Sequence, residues 1–422
     1  MHNCNFRGHS LIAILALCVL TFMAIGASPA SAAGPDVTVF TLSGTQNYGT
    51  AGGIRGYAVG TTSCNIGDAP LNWCDSTSGC GLGTTGSDHP VIAQNMFRLK
   101  AGRFDQIGAS WLKHGFVSTN STDAACGSGS CTTPPLGGNQ LGVGCTDPYG
   151  ASLNGNRPLG RKSEVNATTG AYPFPFGQGG TQTTVWNQRV AVAESDMIAA
   201  SNPGALYFVE GHYIAPDDAA AGNALNNASY SQVLISPTTF NLTMTGGTIR
   251  RKAAIEAWPT IDPSVELFNV DTPTVPVQRF HVARKVTEVT PGLLWHYEYA
   301  VHNLNSDRSS DRLTIDFFGD TTFTSTGFHD VDAHSNEPYD TADWPGTTSA
   351  NSIQWQAPVF AAAPQNANAI RWSTLYNFWF DANRPPSQIA RHALKMFKAG
   401  DPAELEFVVG TEPGTFANGF EN

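Results

Sequence analysis

Short runs of alternating apolar and polar residues, bounded by turn-forming residues, recur along most of this 422-residue sequence. The run DVTVFTLS at residues 36–43 is typical, and two pairs of runs meet at Gly246 with Gly247 and at Pro291 with Gly292. Successive side chains of a strand point to opposite faces, so a period of two predicts strands with one buried face. Helical periodicity is almost absent. We therefore predict an all-β protein with hairpins on these two turns.

The first 32 residues have the pattern of a secretory signal peptide. Arg7 precedes a nearly continuous apolar run at residues 11–25, and residues 30–32 are the small residues that a signal peptidase accepts. The run is too short to span a membrane comfortably, and no later stretch is long enough. We expect a secreted protein, extracellular or periplasmic, with no integral membrane segment in the mature chain.

The roughly 390 residues that follow exceed what one hydrophobic core usually holds. Four prolines within residues 259–276 indicate a linker. We predict a loop-rich, disulfide-bearing β domain at residues 33–260, a β-sandwich domain at residues 277–410 and a tail at residues 411–422. The formal net charge of −11 argues against partners such as nucleic acids and anionic membrane surfaces.

Six cysteines follow the signal peptide, and all of them precede residue 150. An even number in an exported chain predicts disulfides rather than a zinc site, because no CxxC pair is present. Fifteen pairings are conceivable. We predict two local closures and one long link: Cys74–Cys80, Cys126–Cys131 and Cys64–Cys145.

The run WLKHGF carries the first candidate site. On a strand, Trp111 and Lys113 share one face, and His114 lies on the other face among apolar neighbours. Trp111 and Lys113 are candidate ligand-binding residues. His114 is either a neutral core histidine bonded to a carbonyl or a metal ligand or general base at a pocket edge.

Glu210 and His212 follow an apolar run and point to the same side of a strand. Such a pair can hold a metal ion or act as acid and base. The alternative is a structural hydrogen-bonded pair. With His114, these are the candidate catalytic residues.

Three loops carry further candidates. Asp217 and Asp218, followed by asparagines, have the oxygen ligands that Ca²⁺ prefers, but the standard calcium-loop spacing is missing, which favours a loop held by Asx turns. Arg161 and Glu164 would bind a sugar or another polar ligand, or form a surface salt bridge. The acidic loop at residues 330–337 resembles a calcium loop but lacks its glycine. The cofactor is therefore left open between calcium, a transition metal and none.

In the second domain, His296, Glu298 and His302 alternate along WHYEYAVHN. They would share one face of a strand, and we interpret this face as a polar outer surface. The longer segment WHYEYAVHNLNSDRSSDRLTID resembles the paired strands of exported bacterial sandwich modules, which implies fold only.

Several blocks resemble a family of secreted bacterial proteins without an assigned activity. They are IGASWLKHGF, QLGVGCTDPYGASLNG, RKSEVNATTGAYPFP, EGHYIAPDDAAAGNALNNASY and AIRWSTLYNFWFDANRPP. The resemblance implies a shared exported scaffold and no particular chemistry. The last residues, GTFANGFEN, resemble a short C-terminal ending of exported proteins from Gram-negative bacteria.

No GxSxG, HExxH or phosphate-binding loop motif is present, so the common hydrolase, zinc protease and nucleotide-binding signatures are missing. Two hypotheses stay open. The first is a non-catalytic protein that binds extracellular polysaccharide or another polymer, or a small molecule, through an aromatic and polar cleft. The second is an extracellular hydrolase or lyase that acts on a polymer through His114, Glu210 and His212.

Overall fold

The computed structural model describes residues 33–126, 130–155, 157–178, 184–331, 335–360 and 366–408. Strand makes up 46% and helix 9% of the structure, which confirms the all-β prediction. The expected signal peptide and tail lie outside the described residues. In chain order the strands are β1 (Val37–Ala51), β2 (Ile54–Asn65), β3 (Leu71–Asn72), β4 (Val91–Lys100), β5 (Arg103–Ala109), β6 (Leu112–His114), β7 (Ser121–Thr122), β8 (Gln140–Leu141), β9 (Cys145–Tyr149), β10 (Leu159–Gly160), β11 (Val190–Ala193), β12 (Leu206–Ile214), β13 (Ala228–Ile235), β14 (Leu242–Ile249), β15 (Val265–Asp271), β16 (Arg279–Thr290), β17 (Leu294–Asn303), β18 (Ser310–Phe317), β19 (Phe323–His329), β20 (Gly346–Thr348), β21 (Ser352–Gln356), β22 (Thr374–Ala382), β23 (Ile389–Met396) and β24 (Glu404–Phe407).

Helical structure is limited to short segments between strands. Two of them are α-helices, α1 (Pro216–Ala221) and α2 (Ala257–Ile261). Pro216 occupies the first turn of α1 and Gly222 ends the helix in a left-handed conformation, as expected for these residue types. The 3₁₀ turns are Gly137–Asn139, Ala151–Gly155, Lys162–Glu164, Glu194–Asp196, Ala254–Glu256 and Pro386–Gln388.

The strands form four main antiparallel sheets, which we name A to D. Sheet A contains β1, β2, β7, β9 and β11, and sheet B contains β4, β5, β6, β10, β12, β13 and β14. Sheet C is ordered β15-β16-β17-β22-β19, and sheet D is ordered β20-β21-β18-β23-β24. A small ribbon pairs β3 with β8.

Three hydrophobic interfaces stack these sheets in the order A, B, C, D. Val39 and Tyr57 of sheet A share a core with Met96 of sheet B. Sheets C and D enclose a second core, rich in aromatic residues and typical of a β-sandwich. Between sheets B and C lies a third core, which contains Phe97, Phe104, Phe208, Ala283, Ala300 and Leu375.

Because side chains alternate along a strand, successive residues of a sheet C strand face sheet D and sheet B in turn. On β17, Tyr297, Tyr299 and Val301 enter the core with sheet D, whereas Ala300 and its same-parity neighbours face sheet B. Sheet C is therefore buried on both sides. The polar outer surface is wrong for Glu298 and His302, because sheet B covers that face and leaves them 5% and 1% exposed, whereas His296 stays partly exposed.

One of the two predicted hairpins is confirmed. Strands β16 and β17 pair around Pro291 and Gly292. The hairpin on Gly246 and Gly247 is wrong, because both glycines lie inside β14, which pairs with β13. The chain has already reversed at residues 236–241, where Ser236 and Asn241 close the turn by a backbone hydrogen bond.

The disulfides are Cys64–Cys126, Cys74–Cys80 and Cys131–Cys145. Only Cys74–Cys80 matches the predicted pairing. Cys64 on β2 faces Thr146 on β9, so the adjacent Cys145 points to the opposite side of sheet A. Cys64 and Cys145 therefore cannot bridge.

The proline-bearing segment at residues 259–276 contains β15, which pairs with β16 in sheet C. The described residues from 33 onward group into one unit. A domain boundary within this segment stays a prediction. No helix of the described residues is long and apolar enough to cross a membrane.

Candidate functional site

The interface between sheets B and C, which we call the seam, opens at one edge into a cleft of about 440 Å³. The β4–β5 hairpin forms one wall, and β17, β19 and β22 form the other. Pockets of roughly 300–1,000 Å³ are typical of small-ligand sites. We call this opening the seam cleft; its lining residues are Arg98, Lys100, Ala101, Arg103, Asp105, His296, Glu298, Phe328, His329 and Trp379.

Arg103 crosses the seam cleft from sheet B to sheet C. Its Nε and Nη2 donate to the two carboxylate oxygens of Glu298 at 2.6 and 2.9 Å. Its guanidinium carbon lies 3.6 Å from the ring centroid of Trp379. Gly327 pairs with Trp379 across β19 and β22, and a Cβ at residue 327 would overlap the indole. The ion pair and the cation–π contact thus hold a rigid polar platform.

Arg98 and Asp105 are cross-strand neighbours in the β4–β5 hairpin. Arg98 Nη2 donates to Asp105 Oδ2 at 2.6 Å, and Nη1 donates to Asp196 Oδ1 at 3.0 Å. Burial raises the pKa of Asp105, and the guanidinium of Arg98 opposes that shift. His329 Nε2 lies 3.7 Å from Asp105 Oδ2 and has no hydrogen-bond partner among the described residues. This nitrogen is itself buried, whereas the rest of the His329 side chain is 28% exposed and lines the cleft.

His296 has a carboxylate near each of its two ring nitrogens. Its Nδ1 lies 2.6 Å from Asp381 Oδ1, and its Nε2 lies 3.5 Å from Glu298 Oε2. The hydrogen bond to Glu298, followed by that to Asp381, raises the pKa of His296. The register of β17 with β22 explains this grouping, because His296 pairs with Asp381 and Glu298 pairs with Trp379.

The charges of the seam cleft nearly cancel. Its three cationic side chains are Arg98, Lys100 and Arg103, and four carboxylates lie in or against the lining. Both guanidiniums are already bonded to carboxylates, so a polyanion would have to displace those partners. The lining instead offers fixed donors and acceptors side by side, which suits a neutral ligand rich in hydroxyl groups.

The predicted pair Glu210 and His212 lies deep in the seam and does not line the cleft. Glu210 Oε1 accepts from Asn95 Nδ2 at 2.9 Å, and Oε2 accepts from the backbone N–H of Ala254 at 2.7 Å. Burial raises the pKa of Glu210 to about 7 and lowers that of His212 to about 3. Neither ring nitrogen of His212 has a partner among the described residues. His212 is therefore a neutral histidine near Trp372.

His114 lies on the same face of sheet B as His212. Val91 is the β4 partner of His114, and Ala93 is the β4 partner of His212. Two strand spacings across the sheet and two residues along it place the histidines roughly 12 Å apart. They are not on opposite sides of the molecule, but they have different neighbours.

A second histidine, which the sequence reasoning missed, contacts His114. His89 Nε2 lies 2.8 Å from His114 Nδ1, and His89 Nδ1 lies 2.8 Å from the carbonyl of Cys74. The ring of Phe176 stacks on His114 with centroids 3.5 Å apart. Burial lowers the pKa of both histidines, so we assign one neutral imidazole as donor and the other as acceptor. His114 is thus a buried, neutral histidine, but its partner is a second imidazole and not the carbonyl of the core-histidine alternative.

Trp111 and Lys113, predicted to bind ligand, are 1% and 0% exposed. Lys113 Nζ donates to the carbonyl of Val59 and lies 4.6 Å from the ring centroid of Tyr149. Burial lowers the pKa of Lys113 to about 7. A ligand reaches neither side chain in this structure.

The remaining predicted ligand-binding residues contact the protein itself. The guanidinium of Arg161 lies over Trp111, and Glu164 accepts a hydrogen bond from the backbone N–H of Gly177 at 2.9 Å. Asp217 accepts from the backbone N–H of Asn72 at 2.7 Å.

Asp218, the second residue of the predicted oxygen-rich loop, is fully buried. Its carboxylate accepts from the backbone N–H of Val37 at 2.9 Å and from Asn227 Nδ2 at 2.7 Å. These bonds fasten α1 to the start of β1 and are not the Asx turns of the structural alternative. Of the predicted acidic loop, Asp332 and His334 lie outside the described residues. Among the described residues, no three His, Cys, Asp or Glu side chains are grouped to hold a metal ion.

The seam cleft was largely missed because its residues come from four separate segments: the β4–β5 hairpin, β17, β19 and β22. The signal that could have found the cleft was the alternation of polar residues along two strands, which places them on the same face of each strand. His296 and Glu298 alternate on β17, and Trp379 and Asp381 alternate on β22. Same-parity polar residues on two strands predict a shared polar face, but not the sheet that covers it.

No protein-family model matches this chain, and no curated protein matches it. One solved structure, the collagen-binding domain of the Erysipelothrix rhusiopathiae surface protein RspB, aligns with 49% of this chain and 69% of that chain. The sequence identity is 10% and the TM-score is 0.14. A TM-score this low carries no argument about fold or ligand. The resemblance to secreted bacterial proteins stays a prediction.

Proposed function

We propose that this protein is a secreted, non-catalytic binding protein that takes a neutral, hydroxyl-rich polymer, a polysaccharide, into the seam cleft. The observation that carries the proposal is the near-neutral set of paired guanidiniums and carboxylates around an open cleft. Three disulfides support an oxidising compartment.

The fixed ion pairs support sugar binding over binding of a charged polymer. A hydroxyl group donates and accepts at once, and the cleft presents N–H donors of Arg103 beside the oxygens of Glu298. Because the pairs are formed in the free protein, little side-chain entropy is lost when a ligand binds. Trp379 and Phe328 add apolar surface against which the C–H face of a sugar ring can pack.

Retention on polysaccharides tests the proposal. We expect native gels that contain neutral glucans, mannans or chitin fragments to retard the protein, with little change when salt is raised to 0.5 M. His329→Ala and Trp379→Ala should each weaken retention at least about tenfold. Arg391→Ala is the matched control, because Arg391 forms exposed ion pairs on sheet D.

Two results would overturn the proposal. One is that only acidic polymers retard the protein and that this retardation disappears at high salt. The other is equal retention of wild type and both cleft variants when circular dichroism shows that all three are folded.

The enzyme hypothesis also has one supporting observation, although not at the residues predicted for it. His296, with Asp381 on one ring nitrogen and Glu298 near the other, is a half-buried candidate general base in the same cleft. Reducing-end release from each retained polymer tests this alternative. Release by wild type but not by His296→Ala would favour an enzyme over a binding protein.

A further inference from the structure

The side chains of Lys162, Asn95 and Glu210 meet deep in the seam. Lys162 lies in the 3₁₀ turn Lys162–Glu164, Asn95 on β4 and Glu210 on β12. Lys162 Nζ is 3.3 Å from Asn95 Oδ1, and Asn95 Nδ2 donates to Glu210 Oε1 at 2.9 Å. We propose that Lys162 and Asn95 form an intramolecular isopeptide bond, with Glu210 as the proton carrier.

The amine is held against the amide by its own backbone. The N–H of Lys162 donates to Glu337 Oε1 at 2.5 Å, and the indole of Trp372 donates to the carbonyl of Lys162 at 3.2 Å. Lys162 is 5% exposed, and Asn95 is fully buried. Contact distances of this kind give intramolecular reactions high effective concentrations.

The protonation states favour the reaction. Burial lowers the pKa of Lys162 to about 8 and raises that of Glu210 to about 7. These two pKa values differ by about one unit. The state with a neutral Lys162 amine and a neutral Glu210 acid is therefore populated at roughly a tenth of the state in which both are charged. The unprotonated amine is the nucleophile, and a desolvated lysine is a recognised way to obtain it.

The atoms balance without any co-reactant. The Lys162 Nζ lone pair attacks Asn95 Cγ, and the carbonyl electrons move to Oδ1. Glu210 takes a proton from Nζ and gives one to Nδ2. The Cγ–Nδ2 bond then breaks, the Cγ=O bond reforms, and ammonia leaves. The product is a secondary amide between Nζ and Cγ.

Neighbouring groups support the charges that develop. Gln106 Nε2 donates to Asn95 Oδ1 at 3.0 Å, where the oxyanion forms, and Gln106 is itself fixed by the backbone N–H of Leu375 at 2.7 Å. Ser373 Oγ, 2.7 Å from Asn95 Nδ2, orients the leaving group. The backbone N–H of Ala254 fixes the second oxygen of Glu210.

Burial also excludes the competing hydrolysis of Asn95. Apolar neighbours close the seam around the three groups, and bulk water has no access to a fully buried amide. The bond would replace a buried ammonium by a neutral amide, which removes the cost of burying that charge. It would also close a loop of 67 residues between β4 and the 3₁₀ turn.

Intact mass of the reduced, denatured protein tests the proposal independently of any ligand. Wild type should be lighter than its sequence mass, after the observed N-terminus is assigned, by one ammonia, about 17 Da. Lys162→Arg and Glu210→Gln should each restore the full mass. Lys113→Met is the matched control and should keep the deficit, because its equally buried amine contacts a carbonyl and a ring.

Peptide mapping on wild type needs no variant and keeps the test valid if a variant does not fold. Proteolysis should release one branched peptide that joins Asn95 to Lys162. A folded wild type of full mass, or a deficit located at another residue, would overturn the proposal. Failure of polysaccharide binding would leave this measurement unaffected.

Discussion

Arg103 of sheet B and Glu298 of sheet C form a two-point ion pair across the seam, with both N–O distances below 3 Å. Glu298 is nearly buried, whereas the Arg103 side chain is 30% exposed. The pair therefore joins two sheets and also forms part of the ligand-facing surface. Stability and binding are coupled at this point of the molecule.

We expect Arg103→Met to lower the free energy of unfolding by about 2 kcal/mol, because it leaves the buried carboxylate of Glu298 with only the ring of His296 beside it, at 3.5 Å. The double variant Arg103→Met with Glu298→Leu should recover most of that loss. Urea unfolding followed by tryptophan fluorescence measures both. Arg279→Met is the control: its pair with Asp271 is more exposed, and its loss should cost about 1 kcal/mol or less. A double variant no better than Arg103→Met would contradict the argument.

Two of the disulfides close loops of very different size, and we expect their separate removal to lower the free energy of unfolding by different amounts. Cys64–Cys126 closes 62 residues and Cys74–Cys80 closes 6. Chain entropy predicts losses of about 4 and about 2 kcal/mol for the paired Cys→Ser variants. Guanidinium unfolding of each variant checks the order. The reverse order would show that loop entropy does not govern stability here.

Lys113 should make stability depend on alkaline pH. Its pKa is about 7 in the folded protein and about 10.4 when unfolded. Between these values the unfolded chain binds a proton that the folded protein lacks, so the free energy of unfolding rises with pH, by at most about 1.4 kcal/mol per unit. In Lys113→Met, the free energy of unfolding measured with urea should depend much less on pH between pH 7 and pH 10. Lys398→Met, at a side chain 36% exposed, should keep the wild-type slope.

His296 should act in the opposite sense. Its pKa is raised in the folded protein, through Glu298 first and then Asp381. Its contribution is therefore complete below the unfolded pKa of about 6.5 and is lost as pH rises through the folded pKa. The stability difference between wild type and His296→Gln should be larger at pH 5.5 than at pH 9. A difference that grows with pH would contradict this assignment.

Much of the fold could be predicted because strand periodicity is local. The alternation in β17 correctly placed His296 and Glu298 on one face, and the β16–β17 hairpin followed from its turn residues. The assignment of that face to solvent failed, because periodicity does not show which sheet packs on it. The same limit applies to Cys64 and Cys145, whose one-residue register offset is a property of strand pairing.

The sequence by itself determined the strand-rich composition, the number of cysteines available for pairing and the alternation that gives each strand two faces. These follow from neighbouring residues along the chain. Only the tertiary structure decided that Lys162, Asn95 and Glu210 meet inside the seam while Arg103 and Glu298 meet at its open edge. Such contacts join residues up to 195 positions apart, and they depend on the register and stacking order of the sheets, which no local pattern encodes.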